Sequence, residues 1–187
     1  MGATPWHTFI PYHPDIEKAF RELQKTVFER GEYRKIDGDI SFLDEIDFFE
    51  SPDEVDDQYF PQHVRTVLQE LLNQLGSQGL RDYLGNLNKT NRFRSIDDFY
   101  LLFSFCSDGS ASNLDCQEIS MEPGVGSLCT LTDEQLNHYF GTLQPTRKMI
   151  EQNENLWEDI PRGEAIFLTV YKNQTPDELY FAGYSAD

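Results

Sequence analysis

Positive charge is scarce in this chain. Its 187 residues hold 15 Lys and Arg against 33 Asp and Glu, for a formal net charge of −18. That balance argues against a nucleic-acid backbone as direct partner, because there is no excess of cations to release counterions from phosphate. It argues equally against an anionic membrane surface. No apolar run approaches the roughly 20 residues needed to span a bilayer, so no membrane segment is expected. Cysteine is sparse as well: Cys106, Cys116 and Cys129 make an odd number without C-x-x-C spacing. With no charged and apolar leader at the N-terminus, the expectation is a reduced, cytoplasmic protein.

The motifs of common chemistries are missing too. His7, His13, His63 and His138 make no i, i+4 pair, and the cysteines form no zinc knuckle. The stretch beginning Asp37-Gly38-Asp39 opens like a calcium loop, but Phe42 stands where glycine is required and Phe48 where a bidentate Glu is required. There is no Gly-x-Ser-x-Gly elbow, P-loop or Gly-x-Gly-x-x-Gly run. No cofactor, metal or catalytic residue is therefore assigned. Each cysteine lies in or near an apolar run, which points to buried, inert thiols.

What is present is an aromatic, globular composition. Hydrophobic residues make up 39% and aromatics 13%, enough for a packed core in one domain spanning residues 1–187. Trp6–Tyr12 reads as a strand. The next segment places Ile16, Ala19, Phe20, Leu23 and Val27 at helical spacing and closes at Gly31. A second helix starts near Pro61, carries Val64, Val67, Leu68, Leu71, Leu72 and Leu75, and ends at Gly76. Residues 80–94 read as a short helix and a polar loop. Ser95 with Asp98 caps an apolar run, residues 96–106, that fits a helix or a strand equally. Residues 114–120 read as a strand and 122–127 as a loop. Thr132 with Gln135 starts a helix through Phe140 that Gly141 closes. Residues 145–157 begin as helix. Residues 164–184 form a hairpin around Asn173 and Pro176, with both faces of its first strand apolar and hence covered. The order implies an α+β fold, a small and mainly antiparallel sheet packed by several helices.

One segment stands apart. Residues 37–60 hold ten acidic residues and no basic one, interleaved with Phe42, Phe48, Phe49, Tyr59 and Phe60. Ser51-Pro52-Asp53-Glu54 reads as a capping box with proline at the first helical position. A mildly basic stretch, residues 61–94, follows directly and is available to neutralise part of it. Partner-binding residues are expected at Asp44, Glu45, Asp47, Phe48, Phe49, Glu50, Asp53, Glu54, Asp56 and Asp57. Carboxylates there would steer a basic protein surface and the two phenylalanines would anchor it.

The two ends of the chain carry recognisable motifs: "PWHTFIPYHPDIEKAFRELQKTVFERGEY" at the start and "YKNQTPDELYFAGYS" within the tail. They resemble an uncharacterised bacterial protein family, and residues 94–120 fit its pattern more loosely. Where that family carries Gly-Thr-Arg-Ser-Ile-Leu-Asp, this chain has Gly109 and Ser112-Asn113-Leu114-Asp115, without the arginine. Residues 37–90 look like its variable part, which makes the acidic segment a family-variable insertion. The resemblance implies a folded bacterial domain. It transfers no catalytic residue, since no activity is established for the family.

Three functions remain. The first is a non-catalytic protein-binding or regulatory module for a basic protein surface. The second is an inhibitor or immunity-type protein that mimics nucleic acid. As a helix, residues 37–60 would place a charge about every 3.6 Å, near the roughly 3.4 Å phosphate spacing of one strand. The third is an enzyme of unrecognised type. Its small-ligand pocket would lie near the N-terminal strand, with Trp6, His7, Phe9, Tyr12 and His13 beside Tyr180 and Tyr184.

Overall fold

A computed structural model describes residues 3–35, 62–105 and 109–185. The ten expected partner-binding residues, the capping box at Ser51 and Cys106 all lie outside the described residues. In chain order the elements are β1 (Pro5–Pro11), α1 (Ile16–Arg30), α2 (Gln62–Thr90), α3 (Ile96–Phe103), β2 (Glu118–Ser120), β3 (Ser127–Thr130), α4 (Asp133–Phe140), α5 (Arg147–Glu151), α6 (Asn155–Glu158), β4 (Ala165–Lys172) and β5 (Thr175–Tyr184). This is an α+β fold. The elements divide into two compact units. One joins Met1–Tyr33 to Ser110–Asp187, and the other is the intervening Arg34–Gly109.

The first unit is organised by its C-terminal hairpin. Asn173 and Gln174 both adopt positive φ, of 52° and 65°, in a two-residue connection between β4 and β5. That backbone twist matches the strands it joins. The five-stranded sheet runs β1-β5-β4-β3-β2, so β4 is its central strand. The β1–β5 and β4–β5 ladders are long and antiparallel, while β2–β3 and β3–β4 are short and parallel. The parallel edge is the departure from the expected pattern. Residues 114–120 are only half strand, because Ser112 caps a single 3₁₀ turn at Asn113–Asp115 before β2 begins. β3 follows the loop at 121–126 and is too short to show a period.

Both faces of the sheet are covered within this unit, as the apolar faces of β4 require. On one side Leu168, Val170, Tyr180 and Ala182 pack with Phe140, Ile150, Leu156 and Ile160 from the α4–α6 region. On the other, Ala165, Leu179 and Phe181 pack with Ala19 and Phe20 of α1. The α1 stripe contains one polar member. Gln24 is fully buried, and its Nε2 donates to the carbonyls of Asn113 at 3.1 Å and Cys116 at 2.6 Å. Arg21 adds a bond from Nη2 to the Gln117 carbonyl at 2.8 Å. One helix face thereby supplies both apolar cover and the partners of an irregular loop. Asp15 caps α1 by accepting from the Lys18 amide, and Gly31 closes it with bonds back to Val27 and Phe28.

The second unit holds α2 and α3. The long helix contains one break: Gly76 sits at φ 65°, ψ 174°, a conformation that costs glycine little. Helical structure resumes beyond it and continues to Thr90, further than the short helix expected after residue 80. Val64, Leu68 and Leu72 are buried as the stripe requires, but Leu75 is 46% exposed in the last turn before the break. Ile96–Phe103 of the ambiguous apolar run form helix α3. Ser95 Oγ accepts from the Asp98 amide, and residues 98–103 are buried all round. Asp98 also accepts from the Tyr83 hydroxyl, the Arg94 amide at 2.9 Å and Arg94 Nε at 3.2 Å. Burial pushes the Asp98 carboxyl up, but the bonds from Tyr83 and Arg94 outweigh it and hold the group below its usual value.

Two outcomes follow from this packing. A Cβ at Gly183 would lie 2.7 Å from both Ala165 Cβ and the Glu164 carbonyl oxygen and 2.9 Å from the Trp6 ring. Gly183→Ala should cost about 1–3 kcal/mol in urea unfolding, as overpacking at rigid backbone does. Asp98→Asn should cost about 1–3 kcal/mol near neutral pH. Because the folded pKa of Asp98 is depressed, its contribution is full above the unfolded value of about 3.9 and fades as pH falls through the lower folded one. Melting of wild type and Asp98→Asn should therefore converge on acidification below about pH 4.

Candidate functional site

The clearest concavity bounded by fixed groups lies at the end of the sheet where β3 runs into α4. Thr132 Oγ1 accepts from the Gln135 amide, while the Gln135 side chain accepts from the Thr132 amide at 2.9 Å, which fixes the start of α4. One turn on, the Tyr139 hydroxyl donates to Asp159 Oδ2 at 2.6 Å, just past α6. Asn153 joins the same elements: its Nδ2 donates to the Tyr139 carbonyl at 2.6 Å and its Oδ1 accepts from the Leu156 amide at 3.1 Å. Between these groups and the start of β4 is a cleft of about 80 Å³. Leu156, Ile160, Ala165 and Ile166 line its apolar part; Asp159, Glu164, Thr130, Gln135 and Tyr139 are its polar lining; Pro123 joins from the β2–β3 loop.

Its chemistry follows from that lining. Two acidic residues face it, and among the described residues no Lys, Arg or His does. Burial, then the hydrogen bond to Asp159 and that carboxylate's charge, push the Tyr139 phenol up to about 12. The hydroxyl is thus a neutral donor at any physiological pH and holds one carboxylate oxygen in place. The volume is well below the roughly 300–1,000 Å³ of small-molecule sites. The cleft has room for about one side chain.

Two larger concavities are open to solvent. One, of about 720 Å³, runs along the hairpin beside Arg147, Lys148, Lys172, Asp177 and Glu178. Arg147 is already engaged there: Nε meets Glu151 Oε1 and Nη1 meets Glu178 Oε1, each at 2.8 Å, with the guanidinium 4.2 Å from the Phe9 ring centre. The other, of about 490 Å³, borders α5 and α6 and is mainly polar in its residues.

The aromatic residues expected to form an N-terminal pocket do come together, as a chain of rings. Phe9 packs on Tyr180 at 4.5 Å, His7 on Tyr180 at 6.1 Å and Trp157 at 5.6 Å, and Trp157 on Tyr184 at 5.6 Å. Trp157 is the member the sequence order concealed. His7 is exposed on β1, and neither it nor His13 lines any of the three concavities. His13 instead sits in the turn before α1, its Nδ1 accepting from the Asp15 amide at 3.0 Å. The residues that do build the cleft carry no local signal, because Pro123, Tyr139, Asp159 and Glu164 meet only through the fold. The capping box at Thr132 was the one nearby clue.

Among the described residues no group of three or more His, Cys, Asp or Glu is placed to hold a metal ion, and no helix is long and apolar enough to cross a membrane. No family model, curated protein or solved structure matches the chain. Cys116 and Cys129 are free and buried. Burial, then the nearby Asp115 and Cys129, push the Cys116 thiol far up. In a Cys106→Ser variant, both remaining thiols should react with a disulfide reagent at pH 8 only slowly, and promptly once urea unfolds the chain. A thiol that reacts at the free-cysteine rate in the native protein would contradict their burial.

Proposed function

We propose that this chain is a non-catalytic binding module that engages a basic protein surface. What supports the reading is the number of exposed carboxylates without a cation. Glu118, Glu122, Asp133, Glu134, Glu154, Glu158 and Asp177 are exposed and form no ion pair among the described residues. Arg147 is already shared by Glu151 and Glu178. A surface of one sign raises the encounter rate of an oppositely charged partner and repels nucleic acid and anionic lipid. Asp44, Glu45, Asp47, Glu50, Asp53, Glu54, Asp56 and Asp57, with Phe48 and Phe49 as anchors, belong to the same proposal by composition.

Exposed pairs are screened within about 8–10 Å at physiological salt, so such recognition is a salt-dependent association. The test is anisotropy of a labelled lysine-rich peptide with the full chain. Affinity should fall at least about tenfold between 0.05 and 0.5 M salt. Neutralising Glu118, Glu122, Asp133 and Glu134 together, or the ten acids of residues 37–60, should weaken binding more than neutralising Glu17, Glu22 and Glu29 of α1. Equal losses from all three sets, or affinity independent of salt, would sink the reading.

A further inference from the structure

We infer that the cleft between α4 and β4 is the socket for a single lysine side chain of the partner, and that the β2–β3 loop beside it is the apolar contact for the residues flanking that lysine. The inference rests on the basic-partner reading and adds where and how the partner docks.

The first observation is the shape and polarity of the cleft. It is narrow, about 80 Å³, with an apolar part from Leu156, Ile160 and Ile166 and acidic residues Asp159 and Glu164. A lysine has the matching distribution, an alkyl stem ending in a compact ammonium with three donors. Asp159 is held by Tyr139, which uses Oδ2, so Oδ1 remains as an acceptor. Glu164 is fixed through its backbone, its amide donating to the Pro161 carbonyl and its carbonyl accepting from the Tyr184 amide, each at 3.1 Å. Both acceptors thus stand on the α6–β4 connection, Asp159 at its start and Glu164 at its end. A point charge satisfies them more readily than a planar guanidinium, which favours a bidentate carboxylate.

The second observation is independent of charge. Met121 and Val125 are 91% and 77% exposed, among the most exposed large apolar residues described. They flank Pro123, which itself lines the cleft. This loop is well braced. Ser127 Oγ accepts from the Gly124 amide at 2.8 Å and donates to its carbonyl at 2.7 Å, and the Gly126 amide donates to the Gly163 carbonyl at 2.8 Å. Apolar side chains displayed on rigid backbone lose little entropy on contact, which is the arrangement of a protein-binding surface. Glu122 directly follows Met121, and Glu118 is exposed on β2, so the apolar contact has negative charge on neighbouring positions and selects a cationic, apolar-flanked segment.

The test is a titration of the full chain followed by amide NMR. The probes are the pentapeptide Ac-Ala-Leu-Lys-Leu-Ala-amide and its copies with norleucine or arginine in place of lysine. The lysine peptide should shift amides of Thr130, Gln135, Asp159 and Glu164 together with those of Met121–Gly126, saturably. The norleucine copy should bind at least tenfold more weakly. Asp159→Asn with Glu164→Gln should lower lysine-peptide affinity at least tenfold, and Met121→Ser with Val125→Ser should weaken lysine and norleucine peptides alike. Equal binding of the arginine copy would overturn the lysine assignment. Octalysine that binds while the cleft amides stay still would overturn the socket and leave the basic-partner reading standing. Octalysine that does not bind at low salt would remove both.

Discussion

The pairing of β1 with β5 is the constraint on which the first unit depends. Trp6 lies opposite Gly183 and Phe9 opposite Tyr180, so the earliest and latest strands of the sequence share one ladder. The pairing is clamped at one end by reciprocal bonds, Thr4 amide to Ser185 Oγ and Ser185 amide to the Thr4 carbonyl, each at 3.0 Å. It also requires a bare backbone at Gly183, where the Trp6 ring, Ala165 and the Glu164 carbonyl converge. That same convergence sets the position of Glu164 at the cleft. Fold and site therefore share one close contact: what lets the strands meet also places an acidic residue at the mouth.

Charge and core are separated with few exceptions in this protein. The buried acids are accounted for locally: Asp98 by Tyr83 and Arg94, and Asp115 by the Ser110 amide at 2.6 Å. Several exposed ones on the first unit, among them Glu118, Glu122, Asp133 and Glu134, form no ion pair among the described residues. A monomeric protein gains nothing in stability from that surplus, since like charges repel in the compact state. On the proposed reading its use is in association, with the cleft and the braced loop as the points of contact.

Much of the fold was legible in the sequence because local signals agreed with tertiary ones. The α1 stripe with Gly31, the Thr132–Gln135 box with Gly141, and the two-faced apolar pattern of residues 165–171 each specified its element. The ambiguity of residues 96–106 was resolved by Ser95, whose capping bond favours helix over strand. Gln24 was not legible: a glutamine on an apolar stripe looks like an interruption until the carbonyls of Asn113 and Cys116 are placed against it. β3 was missed because four residues are too few for a period, and its parallel pairing because short strands allow a return of only six residues. The cleft was invisible for a different reason. Its residues are separated by long stretches of chain and none belongs to a spaced motif, so only the three-dimensional path brings Tyr139 to Asp159 and Pro123 toward both.

The discontinuity of the first unit bears on how the protein is made. During synthesis β1 and α1 emerge before residues 34–109, and the central strand β4 and its neighbour β5 only after them. Until then the apolar face of α1 and the ring of Trp6 have no sheet to cover. Residues 34–109, by contrast, are contiguous, and all of them leave the ribosome before the hairpin does. Domains generally fold as units in the order they appear. Here β1 must wait for β5, its partner in the sheet, until the whole intervening unit has been made.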